Sequence, residues 1–151
     1  MIAYANSAKS LFGATAVVLA LAGCNMMPRS GNEVTMNVPL SGAAEVPPVS
    51  TSATGTAEVK LNKSTNLLSW KVSYSGLSGP ATAGHFHGPA AAGANAGVVL
   101  PFTGTMSSGM TGQATLTAAQ LADLMAGRWY VNIHTAANPG GEIRGQVTPR
   151  M

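Results

Sequence analysis

The chain is poor in the residues that usually build catalytic and nucleic-acid sites. Charged residues occupy only 9% of its 151 positions, and its eight Lys and Arg residues form no cluster with interleaved aromatic side chains. We therefore expect no nucleic-acid binding. The five acidic residues lie far apart in sequence, so they form no evident carboxylate pair for glycoside hydrolysis. A Gly-x-Ser-x-Gly elbow and a phosphate-binding loop are both missing, which argues against hydrolase and nucleotide-dependent functions.

Cysteine occurs once, at Cys24, and this limits both disulfides and metal ligands. An apolar run over residues 11–21 precedes it and is too short to span a bilayer well. The run ends in Leu-Ala-Gly-Cys at residues 21–24, which resembles a bacterial lipoprotein signal. In such signals the cysteine receives diacylglycerol and becomes the new N-terminus, so the mature domain would hold no disulfide and no thiolate ligand. The alternative is an ordinary secretory signal with a chance cysteine.

This interpretation divides the chain into three parts: a signal peptide over residues 1–23, a lipid-anchored tether over residues 24–32 and one domain over residues 33–151. Asn25, and not Asp, follows the cysteine. In Gram-negative sorting this resembles an outer-membrane signal. We expect an exported lipoprotein at the periplasmic face of the outer membrane or at the cell surface. Its expected partners are the membrane, a metal ion and an envelope protein.

The mature part combines few charges with 18 glycines and 9 prolines, a composition that suits short strands and tight turns. Thr117 and Gln120 fit a capping box and predict one short helix. Several short strands around one brief helix are typical of an antiparallel β-sandwich. Apolar and polar residues alternate, or short apolar runs stand between turn residues, in segments that predict strands over residues 34–38, 54–62, 68–74, 81–87, 98–102, 110–116, 129–135 and 143–147.

Histidine is scarce, with only three copies. His85 and His87 stand two residues apart on a predicted strand, so they project from the same face. His134 lies on another predicted strand, and three imidazoles are a ligand set for copper or zinc. Copper is the first choice because the exported domain lacks thiolates and because copper precedes zinc in intrinsic affinity. The alternative is structural, with each ring bonding a loop carbonyl.

Several other residues are candidates to support these ligands. Glu142, close to His134 across a turn, can accept the second N–H of a metal-bound imidazole; an exposed salt bridge with Arg144 is the alternative. Asn132 shares the face of His134 and can orient a ring, and Tyr130 can do the same or belong to the core.

Two methionines and one glutamate each have two possible roles. Met106 and Met110 can offer thioethers to Cu(I), although packing is the favoured role for both. Glu45 can cap a loop or line the site.

The chain resembles the CHRD domain, a module named from chordin and also found in microbial exported proteins. The resemblance covers about residues 34–149 and implies an immunoglobulin-like, Greek-key β-sandwich, with no settled biochemical activity. It is carried by the segments Leu40–Pro48, Ala83–Ala90, Trp129–Thr135 and Pro139–Gln146.

A looser resemblance is to copper/zinc superoxide dismutase, which also carries a His-x-His pair on a strand of a β-sandwich. The present chain has no fourth histidine to bridge two metals and no cysteine pair.

Three functions follow as hypotheses. The first is a lipid-anchored protein that binds one copper or zinc ion for metal capture, delivery or tolerance. The second is a non-enzymatic interaction module of the envelope, and the third is a dismutase-like oxidoreductase. Of these, we favour a role without catalysis.

Overall fold

The structure is a computed structural model that describes residues 1–2 and 31–150. Cys24, residues 3–23 of the expected signal peptide and residues 25–30 of the expected tether lie outside the described residues. Within the described ranges, no helix has the length and apolar character needed to cross a membrane.

The described chain forms eight strands and one α-helix. In chain order these are β1 (Glu33–Ser41), β2 (Thr54–Asn62), β3 (Leu67–Ser75), β4 (Ala81–His87), β5 (Val98–Pro101), β6 (Met110–Thr115), α1 (Ala118–Met125), β7 (Trp129–Thr135) and β8 (Ile143–Val147), with a 3₁₀ turn at Gly42–Ala44 after β1.

All strand pairs are antiparallel, in the order β5-β4-β7-β8-β1-β2-β3-β6. The pairing between β8 and β1 consists of one residue pair, Ser41 with Arg144, so the sheet curls there into two layers. Aromatic contacts join the layers: the Trp70 ring on β3 lies 5.2 Å from the Phe86 ring on β4 and 5.4 Å from that of Phe102. The prediction of an all-β, sandwich-like fold with one short helix is confirmed.

Residue alternation explains which faces the strands bury. On β2, Ala57, Val59 and Leu61 are fully buried, while the polar residues between them face solvent. β2 and β3 pair over their whole length and enclose the turn at residues 63–66. The Asn62 side chain accepts hydrogen bonds from the Ser64 and Thr65 amides and so begins that turn, as such residues commonly do.

The capping box predicts the start of helix α1 correctly. The Thr117 hydroxyl accepts from the Gln120 amide at 3.2 Å, and the Gln120 side chain accepts from the Thr117 amide at 2.9 Å. Gly127 follows the helix in the left-handed conformation, with φ +69°. Leu124 buries its side chain in the core and ties the helix to the two layers.

Candidate metal centre

Neighbouring strands bring the three histidines together. β4 and β7 pair antiparallel, with Ala83 opposite His134 and His85 opposite Asn132. Alternate residues of one strand share a face of the sheet, and so do directly paired residues of neighbouring strands. His85 and His87, together with Ala83 and its partner His134, therefore project to the outer face of this layer. The His85 ring centroid lies 4.9 Å from that of His134 and 5.3 Å from that of His87.

One nitrogen from each ring points into a common space. The three ligand atoms of His85, His87 and His134 all lie within 4.8 Å of one another. His85 Nδ1 and His134 Nε2 are only 3.1 Å apart. Two nitrogens on one ion at about 2.0–2.1 Å lie about 2.9–3.4 Å apart at square-planar or tetrahedral angles. This pair therefore has the spacing that a shared ion requires, and the cluster can hold a metal ion.

Backbone carbonyls decide which nitrogen of two rings carries hydrogen. His134 Nδ1 lies 2.9 Å from the Pro139 carbonyl oxygen, and His87 Nδ1 lies 3.0 Å from that of Ala96. Because a carbonyl only accepts, Nδ1 must be the donor in both rings. Each neutral ring then keeps its lone pair on Nε2, which is the arrangement of a metal-binding histidine whose second nitrogen is fixed by a hydrogen bond.

A purely structural role explains only part of this arrangement. The carbonyl bonds do fix the rings of His87 and His134 to loops, as that alternative expects. However, His87 Nε2 is buried and has no hydrogen-bond partner within residues 31–150. Buried polar atoms normally have a partner, and a metal ion would supply one here. The donor set thus fits a metal better than it fits a set of loop anchors.

The surroundings favour the neutral imidazoles that a metal needs. Burial lowers the pKa of His85, and the neighbouring rings of His134 and His87 lower it further. Burial is also the main cause that lowers the pKa of His87. Since only the neutral ring can donate its lone pair, both shifts keep these ligands available near neutral pH.

Tyr130 contacts the cluster directly, and its side chain is buried on the same face as the three histidines. Its ring stacks on His87 with 4.8 Å between centroids and an interplanar angle of 3°. The Arg144 guanidinium lies over the Tyr130 ring, 3.4 Å from its centroid. Tyr130 therefore holds the His87 ring parallel to its own ring, while Arg144 covers the stack.

A loop rich in Ala and Gly covers this outer face, a role that its sequence does not predict. The Ala96 carbonyl accepts from His87, and the Ala96 amide donates to the Tyr130 hydroxyl at 3.1 Å. Arg144 donates to the Asn95 side chain and the Ala94 carbonyl, at 2.8 and 2.6 Å. These contacts use mainly backbone atoms, and the sequence of small residues gives no signal for them.

Glu142 does not have the role expected from its sequence position. Its side chain is fully buried, which excludes the exposed salt bridge. Its carboxylate accepts hydrogen bonds from the Thr51, Ser78 and Thr135 hydroxyls and from the Ser78 amide, at 2.6–2.9 Å. Both ring nitrogens of His134 are engaged elsewhere, with Pro139 and His85. Glu142 instead ties the end of β7 to two loops.

Asn132 also takes a role different from a direct contact with a ring. Its side-chain amide donates to Glu45 Oε2 at 3.2 Å, and both residues are buried. Glu45 is thus placed beside the site through Asn132.

The two methionines are packing residues: Met110 belongs to the core and Met106 packs against it, which leaves the thioether hypothesis without support.

Comparison with known proteins identifies the domain. The family model described as the CHRD domain matches residues 36–147, about three quarters of the chain. The match contains β2–β8 and all three histidines. No curated protein and no solved structure matches this chain.

Proposed function

The chain belongs to the CHRD domain family, and we propose that it binds one copper ion at the cell envelope through His85, His87 and His134. Zinc is the alternative ion. The observation that carries this proposal is the convergence of three ring nitrogens, in which carbonyl bonds to Nδ1 of His87 and His134 leave each Nε2 without a hydrogen. Rings that are already oriented lose little freedom when an ion binds.

The ligand chemistry supports copper over zinc. Imidazole suits both ions, but affinity at a given nitrogen site rises towards copper and falls again at zinc. His85 Nδ1 and His134 Nε2 share one hydrogen in the metal-free protein, since His134 Nε2 can only accept. Metal binding would need this hydrogen to move from His85 Nδ1 to His85 Nε2 or to solvent, so that both nitrogens can offer a lone pair. We assign the site to metal capture, delivery or tolerance, with no catalytic step.

A titration of the full-length protein in mild detergent tests the proposal. We expect one Cu(II) ion per chain with a dissociation constant below about 1 µM, which corresponds to more than about 8 kcal/mol of binding free energy. Zinc should bind the same site more weakly and be displaced by copper. Isothermal calorimetry and competition with a chelator measure both quantities. Binding that never saturates, or that saturates well above one ion per chain, would contradict a single site.

We further propose that a lipid on Cys24 holds the domain at the periplasmic face of the outer membrane or at the cell surface. The support is the sequence box at residues 21–24 and its place after an apolar run. In a Gram-negative host, Cys24→Ser should move the exported protein from the membrane fraction to the soluble fraction. Mass spectrometry of the wild type should find a diacylated cysteine. An N-terminus generated elsewhere, without lipid, would refute the anchor.

A further inference from the structure

Glu45 and Asn132 form a buried pair with one unexplained feature. Asn132 Nδ2 donates to Glu45 Oε2 at 3.2 Å. The two remaining oxygens, Glu45 Oε1 and Asn132 Oδ1, are buried and have no hydrogen-bond partner among the residues that the structure describes. Both are acceptors when Glu45 is ionised, so neither can bond the other in that form. Two buried acceptors without donors are costly.

A single proton removes both deficits. A protonated carboxyl has one O–H donor, and Asn132 Oδ1 can accept from it. The carboxylic acid and the amide then form a cyclic pair with two hydrogen bonds. One runs from Asn132 Nδ2 to Glu45 Oε2, and the other from Glu45 Oε1 to Asn132 Oδ1.

Arg144 is the charged group that acts on Glu45, and it does not neutralise it. Two of its guanidinium nitrogens donate to neutral oxygens, those of Asn95 and Ala94. In the part of the chain that the structure describes, the ion pairs are Lys60 with Glu58 and Arg128 with Asp123, and neither involves Glu45. Burial raises the pKa of Glu45 to about 7, although Arg144, the Asn132 hydrogen bond and the Val46 backbone amide oppose the shift.

The pair also lies where it can orient a ligand. Asn132 packs over Gly141, where a Cβ atom would come within 2.4 Å of the Asn132 side chain. Gly141 belongs to the turn whose Pro139 carbonyl accepts from His134. Glu45 lines a cleft together with the same turn. A change in the pair would therefore move the carbonyl that sets the His134 ring.

We propose that Glu45 is a positioning residue of the metal centre that works in its protonated form, by pairing with Asn132 and fixing the turn that orients His134. This inference rests on the proposed metal function. Glu45 touches no ligand nitrogen and acts only through Asn132 and the turn.

Substitution by glutamine tests the protonation state, because Gln carries the same donor and acceptor as the neutral acid. In the metal-free full-length protein, the folded state holds the Glu45 proton more tightly than the unfolded chain does. The stabilising effect is complete below about pH 4.5 and is lost as the pH rises through about 7. The melting temperature of the wild type should fall by roughly 5–10 °C over this range relative to Glu45→Gln. Glu58→Gln, at an exposed ion pair, is the control and should follow the wild type.

The metal affinity tests the positioning role. Glu45→Ala should weaken Cu(II) binding about 10- to 100-fold, as loss of a supporting partner usually does, while Glu45→Gln should restore it to within about threefold of wild type. A Gln variant as weak as the Ala variant would overturn the protonated form. An Ala variant that binds as tightly as wild type would overturn the positioning role. If the wild type binds no metal, the proposed function fails, and the melting curves alone still decide the state of Glu45.

Discussion

Alanine in place of His134 is expected to weaken copper binding by roughly 100- to 1000-fold, because a complete structural metal site contributes about 10–16 kcal/mol and one ligand about 3 kcal/mol of it. His134 supplies Nε2 at 3.1 Å from His85 Nδ1, so its loss removes the closest nitrogen pair of the cluster. Competition titration of the full-length variant measures the change. The fold should persist, since the variant loses two hydrogen bonds, to the Pro139 carbonyl and to His85, worth together about 1–2 kcal/mol.

A control must separate lost ligation from lost stability. Thr117→Ala removes the capping hydroxyl of helix α1, on an element that carries none of the three histidines, and should lower the free energy of unfolding by about 1 kcal/mol. The two variants therefore have comparable stability, but only His134→Ala should bind copper more weakly. Equal affinity in His134→Ala and the wild type would remove this residue from the site. An equal loss in Thr117→Ala would show that the assay reports folding.

Glutamine in place of Glu142 is expected to lower the free energy of unfolding by about 3–5 kcal/mol, the largest stability effect that we predict. Four donors from three residues, Thr51, Ser78 and Thr135, converge on this fully buried carboxylate. A glutamine removes the charge that strengthens all four bonds and replaces one oxygen by an NH₂ group, so the hydroxyls that faced that oxygen must turn to accept. Chemical denaturation measures the difference. Glu58→Gln, at an exposed pair with Lys60, should change stability by less than about 0.5 kcal/mol.

The same network predicts a pH dependence with a definite sign. Burial alone would raise the pKa of Glu142, but the Ser78, Thr135 and Thr51 hydrogen bonds lower it to about 2. The folded pKa is below the unfolded value of about 4.5, so the stabilisation is complete above that value and is lost as the pH falls through about 2. The wild type should lose stability over this range and Glu142→Gln should lack that part of the loss. Parallel curves for both proteins would contradict the assignment.

Glu45 and Glu142 show why one residue type can respond in opposite ways. Four donors stabilise the charged form of Glu142, whereas at Glu45 burial outweighs the Asn132 and Val46 hydrogen bonds and the neutral form completes the pairing. Glutamine should accordingly be tolerated at position 45 and costly at position 142. Neither environment is visible in the sequence, since Thr51 and Ser78 lie 91 and 64 residues from Glu142.

The strands were predictable because their alternation is regular. The bounds expected for β2, β4 and β7 agree with those observed, and alternation on β4 and β7 places all three histidines on faces opposite the core. However, the pairing of β4 with β7 depends on the topology of the sheet. About 45 residues separate these strands, and periodicity within a strand does not specify which strand lies beside it.

The residues that set the ring orientations were the hardest to predict. The Pro139 and Ala96 carbonyls are backbone atoms, and any residue could supply them. Closeness across a turn assigns Glu142 to His134, but the hydroxyl groups of Thr51, Ser78 and Thr135 bind its carboxylate instead, and the first two come from distant loops. Local sequence thus predicts which residues can act as ligands, while the partners of those ligands depend on the packed loops.

X-ray absorption at the copper edge of the full-length protein, loaded with one equivalent of Cu(II), tests the central claim most directly. The three-histidine centre predicts three imidazole nitrogens at about 2.0 Å, and two in His134→Ala. A spectrum with no imidazole scattering, or one that is the same in the wild type and in His134→Ala, would contradict it.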